Sequence, residues 1–162
     1  MDGPARRIVG ALKFRGVRAA AKDMAHQLET VATEADWDVV FPVPLHNKRR
    51  RQRDFNQAEE LLRHMNWPTG DGHLKRVRDT KSQVGLRGEE RLRNVRGAFR
   101  YDGPELVGAT VGILDYVLTT GATANECALV LKDFGARRVI AVAFAGAGYD
   151  PDGAEDASEA FG

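Results

Sequence analysis

The sequence predicts an α/β domain of three layers, in which helices cover both faces of a parallel sheet. Two stretches, residues 111–116 and 138–145, are almost continuously apolar, as parallel strands buried on both faces are. Residues 123–134 lie between them with helical periodicity, so the three segments form a βαβ unit. A third apolar stretch, residues 37–43, ends in prolines and is expected to join the same sheet.

Helical patterns lie on either side of the first predicted strand. Apolar residues repeat at helical spacing from Val17 to about Glu34, which indicates a helix that packs on the sheet. A second helix is expected to begin near Asp54, with Asp54 as its N-cap, and to end at residues 66–68. Residues 1–36 are therefore assigned to N-terminal helices that cover the core.

The middle of the chain interrupts this alternation. Residues 69–102 contain many charges and no long helical stripe. Short strands are expected at residues 74–78 and 98–101, flanking a mobile, basic excursion. The core then spans residues 37–146, and the acidic, aperiodic tail at residues 147–162 is expected to be disordered.

Charge is divided unevenly along the chain, although the formal net charge is only +1. Residues 46–100 carry fifteen Lys or Arg and seven Asp or Glu, a net charge of +8. Residues 101–162 carry three and ten, a net charge of −7. The middle of the chain is therefore suited to polyanionic ligands.

The single cysteine and the hydropathy pattern exclude several classes of protein. Cys127 lies on the apolar face of a predicted helix and is interpreted as a core residue; alone, it excludes an intrachain disulfide and a multi-cysteine metal site. No apolar stretch approaches the length needed to span a membrane, and the first residues lack the apolar segment of a signal peptide. These features predict a cytoplasmic protein.

The turn after residues 111–116 has the composition of a phosphate-binding loop. Thr119, Thr120 and Thr123 offer three hydroxyls, and Gly121 permits a positive φ. Residues 123–126 have the pattern of a capping box, which would fix the first turn of the following helix. A strand, a tight turn and a helix N-terminus together bind a phosphate monoester. The alternative is that these threonines serve ordinary turn chemistry.

Asp115 ends the apolar run with a carboxylate that needs a partner or a ligand. The alternative role for Asp115 is that of a helix-capping or turn carboxylate. Ligands of an open parallel sheet bind at the carboxyl ends of its strands. The segments that follow residues 37–43 and 111–116 can therefore meet over one site, although they are far apart in the sequence.

Residues 115–123 resemble the phosphoribosyl-pyrophosphate (PRPP) loop of type I phosphoribosyltransferases. The family pattern is two acids, two mostly apolar residues and Thr-Thr-Gly-x-Thr, and here Tyr116 replaces the second acid. The resemblance implies a three-layer phosphoribosyltransferase fold with a parallel sheet and a flexible hood, and PRPP or a ribose 5-phosphate-like ligand bound with Mg²⁺. It assigns the ribose hydroxyls to Asp115 and Tyr116. The residues it assigns to the 5′-phosphate are Thr119, Thr120, Gly121, Ala122 and Thr123.

Two further segments resemble the ComF branch of this superfamily. The first is residues 38–46, continued by Arg-Asp-Phe-Asn-Gln at residues 53–57. The second is residues 80–86, continued by residues 91–94 and 97–99. Many ComF-like proteins begin with a four-cysteine zinc ribbon, which this sequence lacks, so no zinc is expected.

The resemblance extends the predicted site beyond the PRPP loop. The hood (residues 69–102) would close over PRPP, and Arg91 is assigned to catalysis together with Asp115. For His46 and residues 48–53, the alternative is a solvated basic loop. For Arg91 and Asn94, it is a charged helix with one structural hydrogen bond. The residues assigned to the pyrophosphate and the hood are His46, Lys48, Arg49, Arg53, Gln83 and Asn94.

The resemblance implies two functions of different class. One is an enzyme that transfers the phosphoribosyl group of PRPP to a nitrogenous acceptor. The other is a non-catalytic module in DNA uptake during competence, which binds single-stranded DNA or competence proteins. Tyr116 and Asp54 depart from the family pattern, and both departures weaken the predicted PRPP site. Homodimers are common in the superfamily, but nothing in the sequence specifies an oligomeric state.

Overall fold

A computed structural model describes residues 19–32, 36–45, 55–78, 80 and 88–146 of the chain. The predicted tail at residues 147–162 lies outside these ranges. No helix within them is long and apolar enough to cross a lipid bilayer. The elements within them are α1 (Ala19–Val31), β1 (Val39–Pro42), α2 (Gln57–Leu62), β2 (His73–Arg76), α3 (Gly88–Val95), β3 (Phe99–Asp102), β4 (Thr110–Leu118), α4 (Ala122–Asp133) and β5 (Arg138–Gly146).

Within the described ranges, the main sheet contains three parallel strands in the order β1-β4-β5. β4 pairs with β1 through Val39 and Val111, and with β5 through Thr110 and Arg138. β4 is thus the central strand of the described sheet. The expectation that residues 138–145 are buried on both faces is wrong, since β5 lies at the edge of the described sheet and most of its residues are partly exposed.

The excursion in the middle of the chain contains a second, antiparallel sheet. β2 and β3 pair from His73 with Asp102 to Arg76 with Phe99, close to where short strands were expected. α3 lies between these strands in the sequence. The hood therefore contains a two-stranded ribbon and a helix.

The main sheet separates two apolar clusters because successive side chains of a strand point to opposite faces. Ile113 of β4 packs in one cluster with residues of α4 and of the two-stranded ribbon. Cys127 of α4 belongs to this cluster and is 0% exposed, as predicted for a core residue. Leu114 packs in the other cluster with Met24 of α1 and Leu61 of α2. Helices thus cover both faces of a parallel sheet, which is the predicted three-layer arrangement.

Candidate functional site

The candidate site lies at the carboxyl end of the central strand. β4 ends at Leu118, and only residues 119–121 separate it from α4. Gly121 is the N-cap of α4 and has a φ of 71°, a left-handed conformation that glycine adopts readily. The Gly121 carbonyl accepts a hydrogen bond of 2.8 Å from the Asn125 amide. The left-handed Gly121 turns the strand into the helix within three residues.

The predicted capping box at residues 123–126 is wrong. α4 begins before Thr123, at Ala122, so Thr123 already lies within the first turn and cannot be its N-cap. The actual N-cap, Gly121, makes no side-chain hydrogen bond to the first turn. The N-terminal N–H groups of a twelve-residue helix therefore lie at the turn without a capping side chain, beside the exposed residues Thr119 and Thr120.

Asp115 lies on β4, three residues before the strand ends at Leu118. Strand alternation places it on the same face as Ile113, which is the face covered by α4. Its Oδ1 accepts a hydrogen bond of 2.7 Å from the Tyr116 amide. Burial raises the pKa of Asp115 to about 6, although hydrogen bonds from the Tyr116 and Val117 amides act in the opposite direction. At neutral pH a partly buried carboxylate is thus available as a hydrogen-bond acceptor.

Tyr116 is the predicted ligand residue that this arrangement does not favour. Its side chain is 8% exposed and belongs to the cluster that contains Leu114, on the face of the sheet opposite Asp115. Because adjacent residues of a strand point in opposite directions, Asp115 and Tyr116 cannot both face the α4 side. The structure therefore identifies Tyr116 as a core residue, and the predicted hydrogen bond from Tyr116 to a ribose hydroxyl is not supported.

The end of the hood is anchored to the helix that follows the turn. The Gly97 amide donates a hydrogen bond of 2.7 Å to Glu126 Oε1 on α4. Arg78 Nη2 donates to the carbonyls of Asn94 at 3.1 Å and Arg96 at 2.5 Å, near the C-terminus of α3. The sequence analysis did not identify Arg78. It assigned Glu126 to a helix cap, because local spacing does not reveal that its partner is the Gly97 amide, twenty-nine residues away.

Arg76 is another charged residue that sequence reasoning missed. Its guanidinium lies 5.3 Å from the centroid of the Phe99 ring and donates a hydrogen bond to the Thr80 hydroxyl. Burial is the main cause that raises the pKa of the Cys127 thiol, the charge of Asp115 raises it further, and the charge of Arg76 lowers it. Arg76 thus brings positive charge from the ribbon to the side of the sheet on which Cys127 lies.

The remaining predicted residues are only partly described. Asn94 lies near the end of α3, half-buried, and its carbonyl is held by Arg78. Arg91 lies within α3, but its side chain is outside the described part of the structure. The predicted pyrophosphate and hood residues that lie outside the described ranges are His46, Lys48, Arg49, Arg53 and Gln83.

Asn56 joins the end of β1 to the start of α2. It is 3% exposed, and its Nδ2 donates to the Val43 carbonyl at 3.0 Å and to Glu59 Oε1 at 3.2 Å. Its Oδ1 accepts from the Ala58 amide at 3.1 Å, so Asn56 is the N-cap of α2. The prediction of Asp54 as the N-cap is therefore wrong; an amide can both donate to β1 and accept from the helix, whereas a carboxylate can only accept.

Replacement of Asn56 by Ala is expected to destabilise the fold by about 2–3 kcal/mol, because it removes the cap and leaves the buried Val43 carbonyl without this donor. Asn56→Asp should not restore wild-type stability, since a carboxylate keeps the cap but places an oxygen that cannot donate against the Val43 carbonyl and Glu59 Oε1. Urea unfolding of the two variants measures the difference. Equal stability of wild type and Asn56→Ala would contradict the role of Asn56.

Comparison with solved structures defines the class of fold. The chain aligns with the allosteric regulatory enzyme of purine biosynthesis at 21% identity and a TM-score of 0.51, over 79% of this chain and 26% of that one. It aligns with a phosphoribosyltransferase from Corynebacterium diphtheriae at 14% identity and a TM-score of 0.50, over 88% and 95% of the two chains. The chain thus has the fold of the type I phosphoribosyltransferases.

Comparison with curated proteins defines the family. The chain is 31% identical to competence protein F of Haemophilus influenzae over 139 residues, which are 82% of this chain and 57% of that protein. It is 35% identical to DNA utilization protein YhgH of Escherichia coli K12 over 108 residues, or 63% and 46%. The chain belongs to the ComF family, as the sequence motifs predicted. It spans about half the length of these relatives. No protein-family model matches it.

Proposed function

We propose that the chain binds PRPP or a related ribose phosphate, with the 5′-phosphate held at residues 119–123. The observation that carries this proposal is the abrupt transition from β4 to α4, where Gly121 caps the helix without a side-chain hydrogen bond. N–H groups at such a helix start, and the helix dipole, favour a doubly charged phosphate. The exposed residues Thr119 and Thr120 carry hydroxyl donors beside it.

Asp115 is proposed to accept hydrogen bonds from the ribose hydroxyls. Its carboxylate is partly buried near the same end of β4, where a charged acceptor binds a hydroxyl more strongly than a neutral one does. With Tyr116 in the core, the chain offers one carboxylate at this end of β4 where the family pattern has two acids. The ribose contact is therefore proposed to be weaker than in phosphoribosyltransferases that carry both acids.

Mg²⁺ is proposed to enter with the pyrophosphate of PRPP. Among the described residues, no group of three or more His, Cys, Asp or Glu side chains is arranged to hold a metal ion. Asp115 is a hard oxygen donor near the proposed ribose position and fits an ion that is held mainly by oxygens of the ligand and water. The charge that a bound Mg²⁺ neutralises is that of the leaving pyrophosphate.

Transfer of the phosphoribosyl group is the proposed chemistry if a nitrogenous acceptor binds beside PRPP. The bond from the anomeric carbon to pyrophosphate breaks, and a bond to the acceptor nitrogen forms. The protein would hold both ends of PRPP and exclude water. Arg91 in α3 and the basic segment that contains His46, Lys48, Arg49 and Arg53 are proposed to hold the pyrophosphate.

Titration calorimetry of PRPP with Mg²⁺ tests this proposal. We expect saturable binding by wild type and a loss of affinity of about tenfold or more when Thr120 and Thr123 are both replaced by Val. Thr30→Val is the matched control, since the Thr30 hydroxyl bonds to the His26 carbonyl on the surface of α1. Equal affinity of the double variant and wild type would contradict a phosphate site at this turn, and ribose 5-phosphate tests whether the pyrophosphate is needed.

Single-stranded DNA is a second candidate ligand, proposed for a non-catalytic role in competence. Arg96 and Arg100 are exposed at the end of the hood, within the basic middle of the chain. Relatives of the chain are named competence and DNA utilization proteins. Contacts of such residues to phosphates release counterions, so they give affinity that depends on salt rather than on sequence.

Fluorescence anisotropy with an oligothymidine tests this second function at several salt concentrations. We expect affinity to fall steeply as salt rises, and the slope to decrease when Arg96 and Arg100 are replaced by Gln. Arg138→Gln, at an exposed position of β5, is the matched control. An affinity that does not change with salt, or that survives the double variant unaltered, would argue against DNA binding at the hood.

A further inference from the structure

The C-terminal end of α3 is held by side chains from outside the helix. The last carbonyls of a helix have no partner within it. Arg78 Nη2, which follows β2 in the sequence, donates to the carbonyls of Asn94 at 3.1 Å and Arg96 at 2.5 Å. The Gly97 amide, one residue further on, donates to Glu126 Oε1 at 2.7 Å. Two charged side chains from other parts of the chain thus fix where α3 ends.

The turn at Gly97 has a fixed position opposite Glu126. Gly97 has a φ of 64°, and a Cβ at this position would meet nothing within 4 Å. The glycine therefore serves the left-handed conformation that turns the chain from α3 towards β3. Val95 and Ala98, on either side of the turn, are fully buried in the cluster that contains Cys127. Burial of both neighbours keeps the Gly97 amide beside α4.

Glu126 belongs to the helix whose N-terminus forms the proposed phosphate site. It follows Ala122, the first residue of α4, by four positions, which is about 6 Å along the helix axis. The helix dipole stabilises a carboxylate at this position, but the negative charge opposes the binding of a phosphate at the same N-terminus. The two effects of Glu126 on an anionic ligand, through its charge and through its contact with Gly97, can therefore be separated experimentally.

We propose that Glu126 is a positioning residue, which sets the distance between the hood and the phosphate turn. This inference rests on the proposed function, in which residues 119–123 hold the 5′-phosphate and Arg91 of α3 holds the pyrophosphate. One ribose joins these two groups of PRPP, so the two parts of the site must keep a matching separation. α4 determines both parts, because its start forms the turn and Glu126 in its second turn holds the end of α3.

Replacement of Glu126 by Ala and by Gln separates positioning from charge. Both changes remove the same charge, but Gln keeps an oxygen that can accept from the Gly97 amide. We expect Glu126→Ala to bind PRPP about fivefold more weakly than Glu126→Gln does in calorimetric titration. The two variants should bind ribose 5-phosphate equally, because this ligand lacks the pyrophosphate. Charge alone predicts that both variants bind both ligands more tightly than wild type does.

Two further variants complete the test. Glu126→Asp keeps the charge but withdraws the carboxylate by one methylene group, so it should lower the ratio of PRPP affinity to ribose 5-phosphate affinity as Glu126→Ala does. Asp133→Ala removes an acid from the exposed C-terminal end of the same helix and should leave this ratio as in wild type. Urea unfolding establishes that each variant is folded.

Amide hydrogen exchange at Gly97 tests the contact without any ligand. Exchange should be about fivefold faster in Glu126→Ala than in Glu126→Gln, since only Ala leaves the amide without its acceptor. The proposal is overturned if exchange is equal in the two variants, if Glu126→Ala loses affinity for both ligands equally, or if its affinity ratio is that of wild type. If wild type binds neither ligand, the proposed function fails, and faster exchange in Glu126→Ala still shows that Glu126 positions the end of α3.

Discussion

Replacement of Asp115 by Asn is expected to stabilise the protein at neutral pH and to weaken its binding of PRPP. Burial raises the pKa of Asp115 from 3.8 to about 6, so between these values the folded protein retains a proton that the unfolded chain releases. The contribution of Asp115 to stability is therefore most favourable below pH 3.8 and is lost as the pH rises through 6. The loss at neutral pH is up to about 3 kcal/mol, and Asn, which does not ionise, avoids it.

Urea unfolding at several pH values from 3.5 to 7.5 measures this difference. The stability gain of Asp115→Asn should be near zero at the acidic end and should grow until about pH 7. Asp102→Asn is the control, because a hydrogen bond and the charge of Lys75 lower the pKa of that exposed carboxyl. It should show no gain at neutral pH. A constant gap between Asp115→Asn and wild type at every pH would contradict a raised pKa at Asp115.

The same variant should bind PRPP about tenfold to a hundredfold more weakly, since a ribose hydroxyl loses a charged acceptor. Wild-type affinity should rise as the pH passes through 6, because the ligand requires the ionised carboxylate. PRPP phosphates also titrate in this range, but their effect is common to both proteins and cancels in the ratio of affinities. A ratio that does not change with pH would show that Asp115 does not contact the ligand.

The opposite changes in stability and affinity follow from where β4 ends. Ile113 and Asp115 share one face of the strand, so an apolar environment continues to the carboxylate and burial raises its pKa. The protein thus keeps an ionisable group at a position where an uncharged residue would be more stable. Such a cost is typical of binding sites and supports the proposal that Asp115 contacts a ligand.

Local sequence patterns predicted the elements around this site well. The apolar run at residues 111–114 and the helical stripe after Gly121 define β4 and α4 to within a few residues. These patterns succeed because burial on both faces of a strand, or on one face of a helix, imposes its period directly on the sequence. The Thr- and Gly-rich composition identified the turn for a different reason: Gly121 adopts the positive φ that glycine permits.

Helix caps and distant contacts could not be predicted in this way. Asp54 and Asn56 are both good N-cap residues, and only the position of the Val43 carbonyl decides in favour of Asn56. Glu126 has the spacing of a capping box, but its partner is the Gly97 amide, which the chain brings close only after the hood has folded. The single cysteine was assigned correctly because helical periodicity alone places Cys127 on the buried face.

The direction of the Tyr116 side chain, unlike the caps and distant contacts, could have been predicted from the sequence, because the alternation of side chains along a strand determines it. The predicted strand included residue 116, and period-two alternation puts its side chain opposite that of Asp115. The family pattern, in which an acid occupies this position, favoured a ligand role instead. The observed burial of Tyr116 with Leu114 indicates that the aromatic residue serves the core beneath the site.

Replacement of Tyr116 by Asp is therefore expected to unfold or severely destabilise the protein rather than to restore a second ribose carboxylate. The change removes a buried aromatic ring, at a cost of about 3–5 kcal/mol, and places a carboxylate in an apolar cluster. Tyr116→Phe keeps the ring and should change stability by no more than about 1.5 kcal/mol, with PRPP affinity unaltered. Urea unfolding and calorimetric titration of both variants distinguish the roles.

The two roles predict opposite results for Tyr116→Asp. A core residue gives a protein that unfolds at much lower urea concentration, and the site at residues 119–123 is lost with the fold. A ligand residue gives a stable protein that binds PRPP more tightly, because a carboxylate accepts a ribose hydroxyl more strongly than a phenol does. The second result would place the side chain of residue 116 on the α4 side of the sheet. It would thereby contradict the alternation on which the assignment of Asp115 also depends.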